Sequence, residues 1–145
     1  MKPHRTWIVV ADGSEARIFL HDRAKSCLHQ LPAGEFHDFA PPTRELVTDN
    51  LSRVQESVGP TRHGIEPRSD PHRQHKERFT ANVVHHLDKE RDAFDHLVVV
   101  APGQAMSVFR KTYTPSLKQR LQHELVRDYV HQTSDYIYER IHEFL

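Results

Sequence analysis

The sequence predicts an α/β protein, a mixed sheet that opens with an antiparallel meander and is covered by helices. Two runs of β-branched and aromatic residues, TWIVVA at 6–11 and ARIFL at 16–20, flank Asp12-Gly13, and an Asp-Gly between such runs is the strongest short-range hairpin signal. A continuous apolar run, DHLVVVA at 95–101, is closed by Pro102-Gly103, as expected of a strand buried on both faces and central in its sheet. Segments with apolar residues at spacing four alternate with these strands, and such alternation makes a sheet with helices packed on it.

After the first hairpin a weaker third strand is expected near residues 26–31. Turn formers (Gly34, Pro41, Pro42, Asp49, Asn50) then recur, with a short helical turn expected at 43–47. Between residues 59 and 78 the only large apolar residue is Ile65, and Pro60, Pro67 and Pro71 each lack a backbone donor. An exposed loop over about 59–70 follows, of a length that in a compact domain is functional or disordered. Asp70 as N-cap and Pro71 at the first helical position start a helix that runs to about Arg91, with Phe79, Val83 and Leu87 on its buried face. A second helix is expected over 104–111, and Pro115 opens another segment. Residues 121–130 fit either period, because Leu121, Leu125 and Tyr129 share one face of a helix and also one face of a strand. Thr133 or Ser134 caps a last helix with Ile137, Ile141 and Phe144 or Leu145 turned inward.

At 145 residues one domain spanning 1–145 is the simplest organisation. Leu, Ile, Val and Phe form about a quarter of the chain, enough apolar surface to fold. Twenty basic residues balance twenty acidic ones, so no bulk positive field draws the whole domain onto nucleic acid or a membrane. The 13 histidines make net charge, and with it solubility, sensitive to mild acid. A single cysteine, Cys27, excludes an intramolecular disulfide. The N-terminal apolar run is too short for a signal peptide and no run of about 18 apolar residues occurs, so a cytoplasmic protein without membrane insertion is expected.

The histidines raise a metal hypothesis in which His63, His72 and His75, with His86 near, converge. Their spacing matches no zinc pattern and no cysteine or carboxylate completes one, so neither a metal nor another cofactor is expected. Asp12 ends a strand, where a two-metal nuclease would hold a carboxylate, but such a site needs several carboxylates and Asp-Gly is already a good turn. Ser14, Ser107 and Cys27 are candidate nucleophiles, and none lies in a known hydrolase context. Gly103-Gln104 follows a strand at a helix start, a place that can take an anion, although a plain helix start explains it. Arg62, His63, Arg68, Arg73, Lys76 and Arg78 form a local basic surface on the loop and helix entry, suited to phosphate contacts. No aromatic residue interleaves these charges, so base stacking is not expected.

Several of these pieces together resemble the bacterial host-attachment protein family: W-I-V-V-A-D-G-S-E-A-R-I-F from Trp7, the helix with Phe79, Val83 and Leu87, F-D-H-L-V-V-V-A-P from Phe94, and E-L-V-R-D-Y from Glu124. The resemblance covers nearly the whole chain. That family is similar to the central domain of class-one peptide-release factors, which implies a ribonuclease-H-like fold of the translational-machinery type. It also implies a ribosome or tRNA partner and places residues 59–70 where a release factor carries its GGQ loop. No Gly-Gly-Gln occurs there; Gln55 precedes the loop and Gln74 lies in the predicted helix, so peptidyl-tRNA hydrolysis does not carry over residue by residue. Two other functions follow from the same resemblance. One is an ester hydrolase on peptidyl- or aminoacyl-tRNA, with or without a metal held by the loop histidines. The other is an interaction module with an indirect role in attachment.

Overall fold

The computed structural model describes residues 4–37 and 71–145. The expected turn at 43–47, the loop at 59–70 and the Asp70 cap lie outside the described residues. Strands β1 (Thr6–Ala11), β2 (Glu15–Asp22) and β3 (Cys27–His37) form the predicted meander, and β4 (His96–Ala101) and β5 (Leu121–Val126) complete one sheet. Helices α1 (Pro71–Lys89), α2 (Gly103–Thr112), α3 (Pro115–Arg120) and α4 (Ser134–Ile141) alternate with the later strands. The strand order is β3-β2-β1-β4-β5. β1 pairs antiparallel with β2 and parallel with β4, and β4 pairs parallel with β5. The chain is therefore α/β with a mixed sheet, as its periodicities indicate.

Two details differ from the sequence expectation, and one reading left open by the sequence is decided. The central strand is β1, and the apolar run at 96–101 is its inner neighbour, because the meander places two strands on one side of β1 and leaves β4 and β5 for the other. β3 is eleven residues long and continues through Pro32 and Gly34. Pro32 falls where the β2–β3 register shifts, on an edge strand, and both circumstances tolerate a missing backbone donor. The ambiguous segment at 121–130 divides: its first part is edge strand β5, pairing Val99 with Glu124 and Val100 with Leu125. The rim of β4, buried on both faces, needs a partner for its N–H and C=O groups, and that need outweighs the helical spacing.

Side chains alternate across the sheet as the pleat requires. Trp7, Val9, Ile18, Leu97 and Val99 face a cluster built from Phe79, Val83 and Leu87 of α1, Met106 and Phe109 of α2, and Leu117 of α3. Ile8, Val10, Phe19, Val98 and Val100 face Val130 and the Ile137 and Ile141 side chains of α4. Each such buried side chain contributes about 1.5–3 kcal/mol through apolar area removed from water. Helix starts follow the sequence signals: Thr114 Oγ1 accepts from Leu117 N at 3.2 Å with Pro115 next, and Thr133 Oγ1 accepts from Tyr136 N at 3.1 Å.

The two parallel strands are tied at their entrances. Asp95 N and His96 N both donate to Arg5 O, at 2.8 and 3.1 Å, while the Asp95 carboxylate accepts from Arg5 N at 2.8 Å and Arg5 Nε at 3.4 Å. The Arg5 backbone N–H first, and then its guanidinium, hold the Asp95 carboxyl below the usual carboxylate range. A depressed carboxyl adds stability that is present above its unfolded pKa, about 3.9, and is lost as pH falls through the lower folded value. Replacing Asp95 with Ala should thus lower Tm at neutral pH, and the gap to the parent should begin to narrow in thermal melts below about pH 3.9 and shrink further as pH falls through the lower folded value. Leu87→Ala, which empties a fully buried position between α1 and the sheet, should cost about 2–5 kcal/mol in urea denaturation.

Candidate functional site

β1 and β4 run side by side in one direction, but the chain leaves them toward opposite edges of the sheet. From β1 it turns back into β2, whereas from β4 it passes through α2 and α3 to β5. Ligands of open α/β sheets bind in the crevice outside the carboxyl ends of strands at such a switch point. A cleft of about 910 Å³ lies there, lined by Asp12 and Gly13 of the hairpin, by Arg73, Lys76, Glu77 and Thr80 of α1, by the first turns of α2, and by Lys111 and Asp128.

Asp12 closes the hairpin. Its Oδ1 accepts from Ser14 N at 2.9 Å, Glu15 N at 2.9 Å and Ser14 Oγ at 3.2 Å. Gly13 follows at φ 101°, a left-handed conformation that favours glycine, and a Cβ there would stand 3.6 Å from the Lys76 side-chain carbons. The Lys76 stem thus packs on the turn. Opposite, α2 begins after Pro102 with no side-chain cap, so the first N–H groups, on the cleft-lining residues 103–105, offer positive potential to an anion. Arg73 is joined to Glu77 at 3.4 Å. His131 stands 3.7 Å from Asp12 Oδ2 and 3.3 Å from Glu15 Oε2.

Of the basic residues singled out by sequence, Arg73 and Lys76 line this cleft; Arg78 is exposed on α1 and is not among its lining residues. Arg62, His63 and Arg68 lie outside the described residues, as does the His72 side chain. His75 is half-buried on α1 and also does not line the cleft. Gln104, noted at its helix start, does line it. Lys111 and Asp128 carry no local sequence signal, since only the crossover from β4 to β5 brings them to the rim.

The arrangement fits anion binding better than hydrolysis. Ser107 Oγ donates to Gly103 O at 3.1 Å and Ser14 Oγ to Asp12, so both hydroxyls are engaged locally. Cys27 Sγ is 3.8 Å from His29 Nε2, but that same nitrogen is 2.8 Å from Asp22 Oδ2. A nucleophile triad needs one ring nitrogen for each partner. Among the described residues, one group of three His, Cys, Asp or Glu ligand atoms gathers within 4.8 Å, and it is this hairpin group rather than the carboxylates near Asp12.

Asp12 therefore acts as the turn residue that its Asp-Gly context indicated. Asp12→Ala removes the acceptor of two turn N–H groups and should cost about 1–3 kcal/mol in chemical denaturation, whereas Asp12→Asn keeps an acceptor oxygen and should retain most of that stability. Among curated proteins no relative matches the chain. The family model described as "Protein required for attachment to host cells" matches residues 7–141, from the first strand through the last helix, and the chain belongs to this host-attachment family.

Proposed function

We propose that the chain is a cytoplasmic, release-factor-like domain of the host-attachment family that binds a ribosomal or tRNA partner without catalysing its hydrolysis. The observation that carries this reading is the cleft at the switch point, which Arg73 and Lys76 of α1, the open N-terminus of α2 and Lys111 of its last turn line together. Cations and backbone N–H groups in one crevice suit phosphate oxygens. Among the described residues three carboxylates share the crevice; Glu77 and Arg73 offset one another, and Asp12 Oδ1 is engaged by its turn. Among the described residues no aromatic side chain lines it, so contacts from these residues would position a nucleic-acid backbone without reading bases. Arg62, His63, Arg68 and Arg78 are proposed as further contacts to the same partner. The strand order, with a three-stranded meander followed by two parallel strands, supports the ribonuclease-H-like reading of the architecture.

Cosedimentation with ribosomes and filter binding to tRNA test the proposal. Association should appear at low salt and weaken roughly 20-fold between about 50 and 200 mM salt if three phosphates are contacted. Arg73→Ala, Lys76→Ala and Lys111→Ala should each weaken binding and flatten the salt dependence. Absence of ribosome or RNA association at low salt would overturn it.

A further inference from the structure

At the end of the sheet opposite the cleft, the β2–β3 hairpin gathers three side chains of metal-ligand type. Asp22 is paired in register with Cys27, and His29 lies two residues further along β3, so all three project from one face. Ser26 adopts φ 53°, a left-handed conformation uncommon for a residue with a Cβ, immediately before Cys27. Lys25 N donates to Asp22 Oδ1 at 3.0 Å, which orients the carboxylate and leaves Oδ2 toward His29. Oδ2 lies 2.8 Å from His29 Nε2 and Cys27 Sγ lies 3.8 Å from the same nitrogen. The three donor atoms are mutually within 4.8 Å.

We propose that Asp22, Cys27 and His29 form a three-ligand site for a zinc-type divalent cation. Tetrahedral zinc, with bonds of about 2.3 Å to sulfur and about 2.0 Å to nitrogen and oxygen, needs S···N near 3.6 Å and N···O near 3.3 Å. The sulfur–nitrogen separation already suits it. The nitrogen–oxygen pair opens by about half an ångström as the cation replaces the hydrogen shared between them, the neutral ring then carrying its hydrogen on Nδ1. A thiolate and a carboxylate supply two negative charges against the 2+ ion, and binding releases the thiol proton. With His29 exposed at the surface, the fourth position faces solvent and is open to water or to a donor from another molecule. Arg23 and Lys25 at the exposed hairpin tip oppose a cation, so the affinity should be below that of a closed structural site. The site shares no residue with the cleft, so its outcome is independent of nucleic-acid binding.

Cobalt titration of the reduced, untagged full chain tests the assignment. Expected are a thiolate-to-cobalt charge-transfer band and the strong visible bands of a tetrahedral site, saturating at one ion per chain and bleached by Zn²⁺. Cys27→Ser should abolish the charge-transfer band. Asp22→Ala and His29→Ala should each weaken affinity tenfold or more, while His123→Ala, on β5, should leave it unchanged. Without any variant, one equivalent of Zn²⁺ should slow alkylation of Cys27 at least tenfold, reversibly with a chelator. No thiolate band at saturating cobalt, unchanged affinity in both Asp22→Ala and His29→Ala, or zinc uptake that leaves Cys27 alkylation unaltered would each overturn the proposal.

Discussion

The parallel pairing of β1 with β4 sets the terms for the rest of the molecule. From Trp7 to Ala11 and from Leu97 to Ala101 every side chain is buried, so this two-stranded strip exposes apolar surface on both faces and backbone groups along both edges. Each face must be covered and each edge paired. α1, α2 and α3 cover one face and α4 with the C-terminal segment covers the other. β2 and β5 take the edges. Hydrogen bonds between Arg5 and Asp95 hold the two strands in step where they enter the sheet.

Polar residues within the recognisable segments act as fasteners for that cover. Arg17 Nη1 donates to Val130 O at 2.9 Å and Gln132 O at 2.6 Å while its Nε donates to Gln30 at 3.1 Å. One guanidinium thus ties β2, β3 and the segment leading into α4. On the opposite side Glu124 of β5 accepts from Tyr113 Oη and Arg110 Nε, both at 3.0 Å. Burial first, and then the neighbouring Glu124 charge, push the Tyr113 phenol far above its ordinary value, so it stays a hydrogen-bond donor. The bond anchors a polar edge strand to the helices that precede it.

The cleft follows from the same topology. Since β1 and β4 send the chain to opposite edges, the hairpin turn and the start of α2 diverge and leave a crevice between them. Asp12 stands at its rim for a reason of backbone chemistry, the satisfaction of turn N–H groups, and the cations arrive from α1 and α2. The distant β2–β3 hairpin is free of this duty, and its donors converge through strand register alone.

Local chemistry in the chain was sufficient for much of this. The Asp12-Gly13 hairpin, the buried strand at 96–101, the α1 face of Phe79, Val83 and Leu87, the Thr133 cap and the host-attachment resemblance all depend on neighbours in sequence, and Arg73 and Lys76 were marked by their local charge. Tertiary structure decided what depends on distant partners. β5 is a strand because β4 requires an edge partner, and Pro32 fits within β3 because of a register shift. Lys111 and Asp128 reach the cleft only through the β4–β5 crossover. Asp22, Cys27 and His29 are separated in sequence by the hairpin loop, and their meeting depends on which residue of β2 pairs with which residue of β3. A one-residue slip would turn these side chains to opposite faces, and composition or spacing alone does not set that register.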